Sequence, residues 1–144
     1  MAENAFIKLV PSSAKQTISV EDVKELFLYY KNITSKTGDQ LDWQYENAAF
    51  PYEIKETVEG KDNWFYLRSS HDRYNIILVG VDKENVQNED GDEREQYYIQ
   101  ITLPDQSSFG DKGKANEFCK FLAKKLQGEL KLFNGRVMYF YPRK

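Results

Sequence analysis

At 144 residues the chain has the length of one domain, and we read residues 1–144 as a single α+β domain. Its 40% apolar and 30% charged residues exclude a disordered or membrane-embedded protein, and no run approaches the roughly 20 apolar residues of a membrane helix. A net charge of −3 argues against general nucleic-acid binding, and a lone Cys119, which cannot form an internal disulfide, points to the cytoplasm.

Phe6 to Val10 reads as a strand closed by Pro11, which has no N–H for a ladder. Ser19 is a suitable N-cap, with Glu21 and Asp22 at the positive end of the helix dipole. Val20, Val23, Leu26, Phe27, Tyr30 and Ile33 keep helical spacing, so a first helix is predicted over 20–36, with Gly38 as its stop. Residues 39–51 are irregular. Strands are predicted from Tyr52 to Val58 and from Trp64 to Ser69, around a hairpin loop at 59–63.

Tyr74 to Val81 contains Ile76-Ile77-Leu78-Val79, apolar on both faces, the pattern of a central strand. Tyr97 to Leu103 pairs with it across an acidic loop containing Asp90-Gly91, a favoured hairpin turn. Ala115, Phe118, Cys119, Leu122 and Leu126 make one apolar stripe, the second helix, which Gly128 stops. Leu130 to Phe133 and Arg136 to Tyr141 then flank Asn134-Gly135, a strong hairpin signal. The order β-α-β-β-β-β-α-β-β predicts an antiparallel sheet with two helices on one face. A strand, a proline, a serine pair and a helix occur twice, at 6–20 and at 98–115, which we read as recurring local grammar.

Charge is unevenly spread. Residues 39–98 carry fifteen acids against six bases, and residues 105–144 carry nine bases against four acids. The plain reading is complementary elements packing together; the functional one is a basic C-terminal surface for an anionic partner.

The segments FIKLVP (6–11), AAFPYE (48–53) and GDKGKANEFCKFLAKKL…LFNGR (110–136) resemble a small family of uncharacterised bacterial proteins of about this length, a domain of unknown function from spore-forming Gram-positive bacteria. The resemblance covers nearly the whole chain. It implies a stand-alone cytoplasmic protein and brings no catalytic residues with it.

No catalytic constellation, metal site or cofactor is expected from the residues. His71, the single histidine, has a turn environment, and Cys119 sits on an apolar helix stripe where a thiol is inert. One His and one Cys exclude a conventional zinc site, and the acidic 82–95 loop fails the calcium-loop pattern, with Val86 and Tyr97 at ligand positions. Gly110, Lys112, Gly113 and Lys114 open the second helix, and glycines, lysines and free N–H groups there suit an anion, although the phosphate-loop motif is absent.

Aromatic residues are abundant at 15%, and Trp43, Tyr45, Tyr139 and Tyr141 beside Arg136 form a candidate interaction surface. The function that asks least of these residues is non-catalytic binding of a protein partner, or a homodimer. The alternative is an enzyme or binder of a phosphorylated or acidic small molecule at the start of helix two. Single-strand nucleic-acid binding at the C-terminal hairpin is third, without the RNA-binding strand motif to support it.

Overall fold

The computed structural model describes residues 3–41, 50–60, 63–70, 72–87 and 90–141, with 34–41 described by their backbone. The elements follow in the predicted order: β1 (Glu3–Lys8), α1 (Val20–Leu41), β2 (Glu53–Lys55), β3 (Trp64–Arg68), β4 (Ile76–Gln87), β5 (Glu93–Leu103), α2 (Phe109–Leu126), β6 (Glu129–Lys131) and β7 (Val137–Tyr139). The strands form one antiparallel sheet in the order β2-β3-β4-β5-β1-β6-β7, so the class is α+β.

Alternation sorts the side chains, because residues opposite one another in a ladder share a face. Phe65, Val79, Ile101 and Ala5 make one cross-strand row, and Ile99, Ile7 and Leu130 lie in the next. All seven are fully buried. Onto this face α1 lays Val20, Val23 and Phe27, and α2 lays the Ala115–Leu126 stripe. Phe118 is the hub, with its ring 5.3 Å from Phe27, 5.4 Å from Tyr30 and 5.5 Å from Phe50. Such ring pairs add about 0.5–1.5 kcal/mol each beyond their buried area.

Both helices open on the same device. Ser19 accepts from the Asp22 amide at 3.2 Å while Asp22 accepts from the Ser19 amide at 3.0 Å. Ser108 and Asp111 repeat it at 3.1 and 2.8 Å. The recurring grammar of the sequence is therefore two reciprocal caps, each satisfying two N–H groups that the first helical turn leaves without partners.

The structure corrects several boundaries. α1 runs through Gly38 to Leu41, since glycine costs a helix about 1 kcal/mol but ends one only where a left-handed residue is required. At the end of α2 that residue is Gln127, at φ 53°. Gly128 is needed for a different reason: a Cβ there would stand 2.8 Å from the Lys8 carbonyl oxygen of β1. Gly110 to Lys114 lie inside the first turns of α2, and the N-cap is Ser108, before them.

The acidic connection is also mostly strand. Beyond Tyr97, whose carbonyl still accepts from the Leu9 amide at 2.9 Å, β4 and β5 ladder with each other among the described residues, a two-stranded arm that turns at Gly91 with φ 87°. Arg94 ties the arm down through the Leu9 carbonyl (3.1 Å) and Gln16 Oε1 (3.0 Å). Nor do the acidic and basic blocks pair with one another among the described residues. Each pairs through the N-terminal segment instead, Glu84 with Lys8 at 3.6 Å and Lys112 with Glu3 at 3.2 Å. Among the described residues no helix is long and apolar enough to cross a membrane.

Candidate functional site

Two helices on one face leave the other face of the sheet bare among the described residues. A solvated sheet face is ordinarily polar. Here Trp64, Gly80, Gln100 and Phe6 form one row across four strands, and Tyr66, Leu78, Thr102 and Asn4 form the next. Trp64, Tyr66, Leu78 and Phe6 are half-buried by their neighbours in the plane of the sheet. The run Ile76–Val79 therefore marks a central strand, as expected, but only Ile77 and Val79 enter the core.

A depression of about 340 Å³ lies in this face, lined by Trp64, Leu78, Gly80, Asp82, Gln100 and Thr102. Gly80 makes it. A Cβ added there would meet the Asn63 carbonyl oxygen and Trp64 Cβ at 3.5 Å, an ordinary contact, so the chain's own packing does not demand glycine. Glycine inside a strand weakens it and often marks the close approach of another group. Trp64, opposite Gly80 in the ladder, packs its indole against Gly60, where a Cβ would be 2.7 Å from two of the ring carbons.

The polar edge is equally organised. Thr102 Oγ1 donates to Asn4 Oδ1 at 2.7 Å, and Gln100 Nε2 donates to Asn4 Oδ1 at 3.0 Å and to Thr102 Oγ1 at 3.2 Å. That network engages the Gln100 amide nitrogen and leaves Oε1 without a donor among the described residues. Asp82 Oδ1 accepts from the Lys83 amide at 2.8 Å, which orients the carboxylate. The local potential is negative: burial, then the nearby Asp82 and Glu84 carboxylates, hold the Tyr98 phenol above its ordinary pKa.

The sequence-derived candidates fall elsewhere. Gly110, Lys112, Gly113 and Lys114 lie in the first turns of α2 but do not converge. A Cβ on Gly110 would be 2.3 Å from the Arg73 carbonyl oxygen, while Gly113 faces open space. Lys112 pairs with Glu3, and Lys114 with Glu117 at 3.1 Å. The start of the helix is closed by the chain's own carboxylate, Asp111, which is fully buried. Tyr139, Tyr141 and Arg136 do gather on the last hairpin, with the two rings 5.7 Å apart and edge-on. Trp43, Tyr45 and His71 lie outside the described residues. Cys119 is in the core, and burial pushes its thiol up to about 12.

Sequence reasoning missed Trp64, Gly80, Gln100 and Thr102 as a group. The available signal was a glycine interrupting an apolar run, with Trp64 and Tyr66 in phase on one side of β3.

Fold and face together define a small α+β domain built on an antiparallel sheet with helices on one side. Residues 3–142 match the family described as "Domain of unknown function (DUF1885)", and the chain belongs to that family. A crystal structure described as a protein of unknown function from Bacillus stearothermophilus is 42% identical, with 88% of this chain and 92% of that one covered and a TM-score of 0.54. Comparison with the curated proteins gives no match.

Proposed function

We propose that this single domain is a small non-catalytic cytoplasmic binding protein that docks a protein partner on the open face of its sheet. The observation that carries the reading is Gly80. A central strand gives up a side chain where its own packing does not require it, directly opposite a Trp64 whose indole packs on Gly60. Aromatic, amide and hydroxyl groups on a rigid sheet are the ingredients of a recognition surface. The reciprocal capping of α2 by Asp111 weighs against the anion-site alternative, since the groups that would greet an anion already have a carboxylate.

Amide and indole NMR signals test this with a panel of probes: N-acetylarginine amide, N-acetylglutamate amide, methyl glucoside, adenosine and inorganic phosphate. Shifts gathered on Trp64 Nε1, Gly80 and Gln100 with an amino-acid probe support the reading, and the same shifts with the glucoside or adenosine alone replace the protein partner by a small molecule. Shifts confined to Lys112–Lys114 with phosphate replace it by the anion site.

A homodimer through β7 is the second reading. β7 is an edge strand, and Val137 and Tyr139 are 38% and 49% exposed on it. A monomer mass in native mass spectrometry removes it.

A further inference from the structure

Which chemistry suits the depression can be argued from its walls, taking the binding reading above as given. Three of them matter: the indole of Trp64, the oriented carboxylate of Asp82 and the Oε1 of Gln100, which no described residue engages, above a floor of Leu78 and Gly80. An aromatic plate with two acceptors, one of them charged, favours a flat cation. Guanidinium is planar and weakly hydrated, stacks on indole and presents several N–H donors at fixed angles. An ammonium is compact and strongly hydrated, so it gains less from the plate. A sugar hydroxyl can donate to the carboxylate, but a neutral sugar gains nothing from the long-range field around it.

The surroundings have the matching sign. The arm that rises next to the depression carries Asp82, Glu84, Asp90, Asp92, Glu93 and Glu95 against Lys83 and Arg94. Glu84 is paired with Lys8 at 3.6 Å and Glu95 with Lys83 at 3.3 Å, and Arg94 is held by Leu9 and Gln16, so the net negative charge rests on Asp82, Asp90, Asp92 and Glu93. A field of this kind draws a cation in and raises its local concentration.

We infer that the depression is a subsite for an arginine side chain of a basic protein segment, with the guanidinium stacked on Trp64 and hydrogen-bonded to Asp82 and Gln100 Oε1. The segment, not free arginine, is the source. Sites for small ligands enclose most of the ligand surface, whereas this depression is open on a sheet face, so the rest of the segment must supply contact along the rows that include Tyr66 and Phe6.

The test uses a Trp43→Phe variant, in which Trp64 is the remaining tryptophan. Its fluorescence is titrated with acetyl-Gly-Arg-Gly amide, the citrulline counterpart (same shape, no charge) and free arginine. The arginine peptide is expected to bind at least about fivefold more tightly than the citrulline one, with the difference shrinking at high salt. Asp82→Asn, which keeps the oxygen that meets the Lys83 amide, is expected to weaken the arginine peptide about fivefold and leave the citrulline peptide unchanged. Glu117→Gln, on the opposite side of the sheet, should change neither.

Equal binding of arginine and citrulline peptides, or indifference to Asp82→Asn, overturns the arginine subsite while leaving a binding face in place. Free arginine as tight as the peptide overturns the protein source. Silence of Trp64 to every peptide and every panel probe brings down both the subsite and the binding reading.

Discussion

The Tyr52 hydroxyl donates a 2.6 Å hydrogen bond to Oδ1 of Asp111, a carboxylate with no exposed surface. The same carboxylate accepts the amides of Asn75 (2.9 and 3.1 Å), Ile76 (3.1 Å) and Ser108 (2.8 Å). One side chain thus joins the approach to β2, the start of β4 and the first turn of α2. The Tyr52 hydroxyl is a buried donor and the three amides are part-buried ones, and each would lose its partner without this carboxylate.

Replacing Asp111 with Ala is therefore expected to cost about 3–5 kcal/mol of folding stability, because one buried and three part-buried donors lose their acceptor together. Tyr52→Phe should cost only about 1–2 kcal/mol. Urea unfolding of both and of the double variant measures the coupling, and additive costs would show that the pair does not act as a unit.

The same contact makes a pH prediction. Burial, and then the hydrogen bond to Asp111, raise the Tyr52 phenol far above its ordinary value. An unfolded phenol ionises near about 10 while the folded one stays neutral, so this stabilisation is complete below about pH 10 and is lost as pH rises beyond it. Tyrosinate absorbance should show Tyr52 ionising together with unfolding. In Tyr52→Phe the alkaline loss of stability should be shallower.

Gly110 and Gly113 should respond oppositely to alanine. Gly113 is helical with open space around it, so Gly113→Ala is expected to stabilise by about 0.5–1 kcal/mol through helix propensity. Gly110→Ala drives a methyl against the backbone of Arg73 and should destabilise by about 1–3 kcal/mol. Thermal melts decide it. Two harmless or two harmful substitutions would contradict the different environments of these glycines.

Cys119 should be silent to thiol reagents in the folded protein. It has no exposed surface, and burial raises its thiol to about 12, so thiolate is scarce at pH 8. Alkylation should proceed at the rate of unfolding and accelerate with urea. Rapid labelling without denaturant would mean that the core opens locally around α2.

Much of the fold was legible. Element order, both helices, the Asn134-Gly135 turn and the antiparallel class follow from signals read within a few residues. Gly135 does take a positive φ of 85°. The errors came from reading glycines and charges by type alone. Gly38 does not stop α1, Gly110 lies against the Arg73 carbonyl oxygen, and Asp82, Glu84, Glu93 and Glu95 of the acidic connection stand on two strands. A glycine is explained by what stands next to it, and its neighbour here is distant in sequence.

The residues alone determined where the chain is helical or extended and which side chains are apolar, because periodicity, capping and turn chemistry act over a few bonds. They also determined that β3, β4 and β5 each have two faces. Only the tertiary structure decided which face the helices cover, and that depends on the order β2-β3-β4-β5-β1-β6-β7 and on where α1 and α2 pack. Register then set Trp64, Gly80 and Gln100 side by side, although they are far apart along the chain. The Asp111 cluster has the same origin: its donors come from segments that meet only once the sheet and α2 have closed on each other.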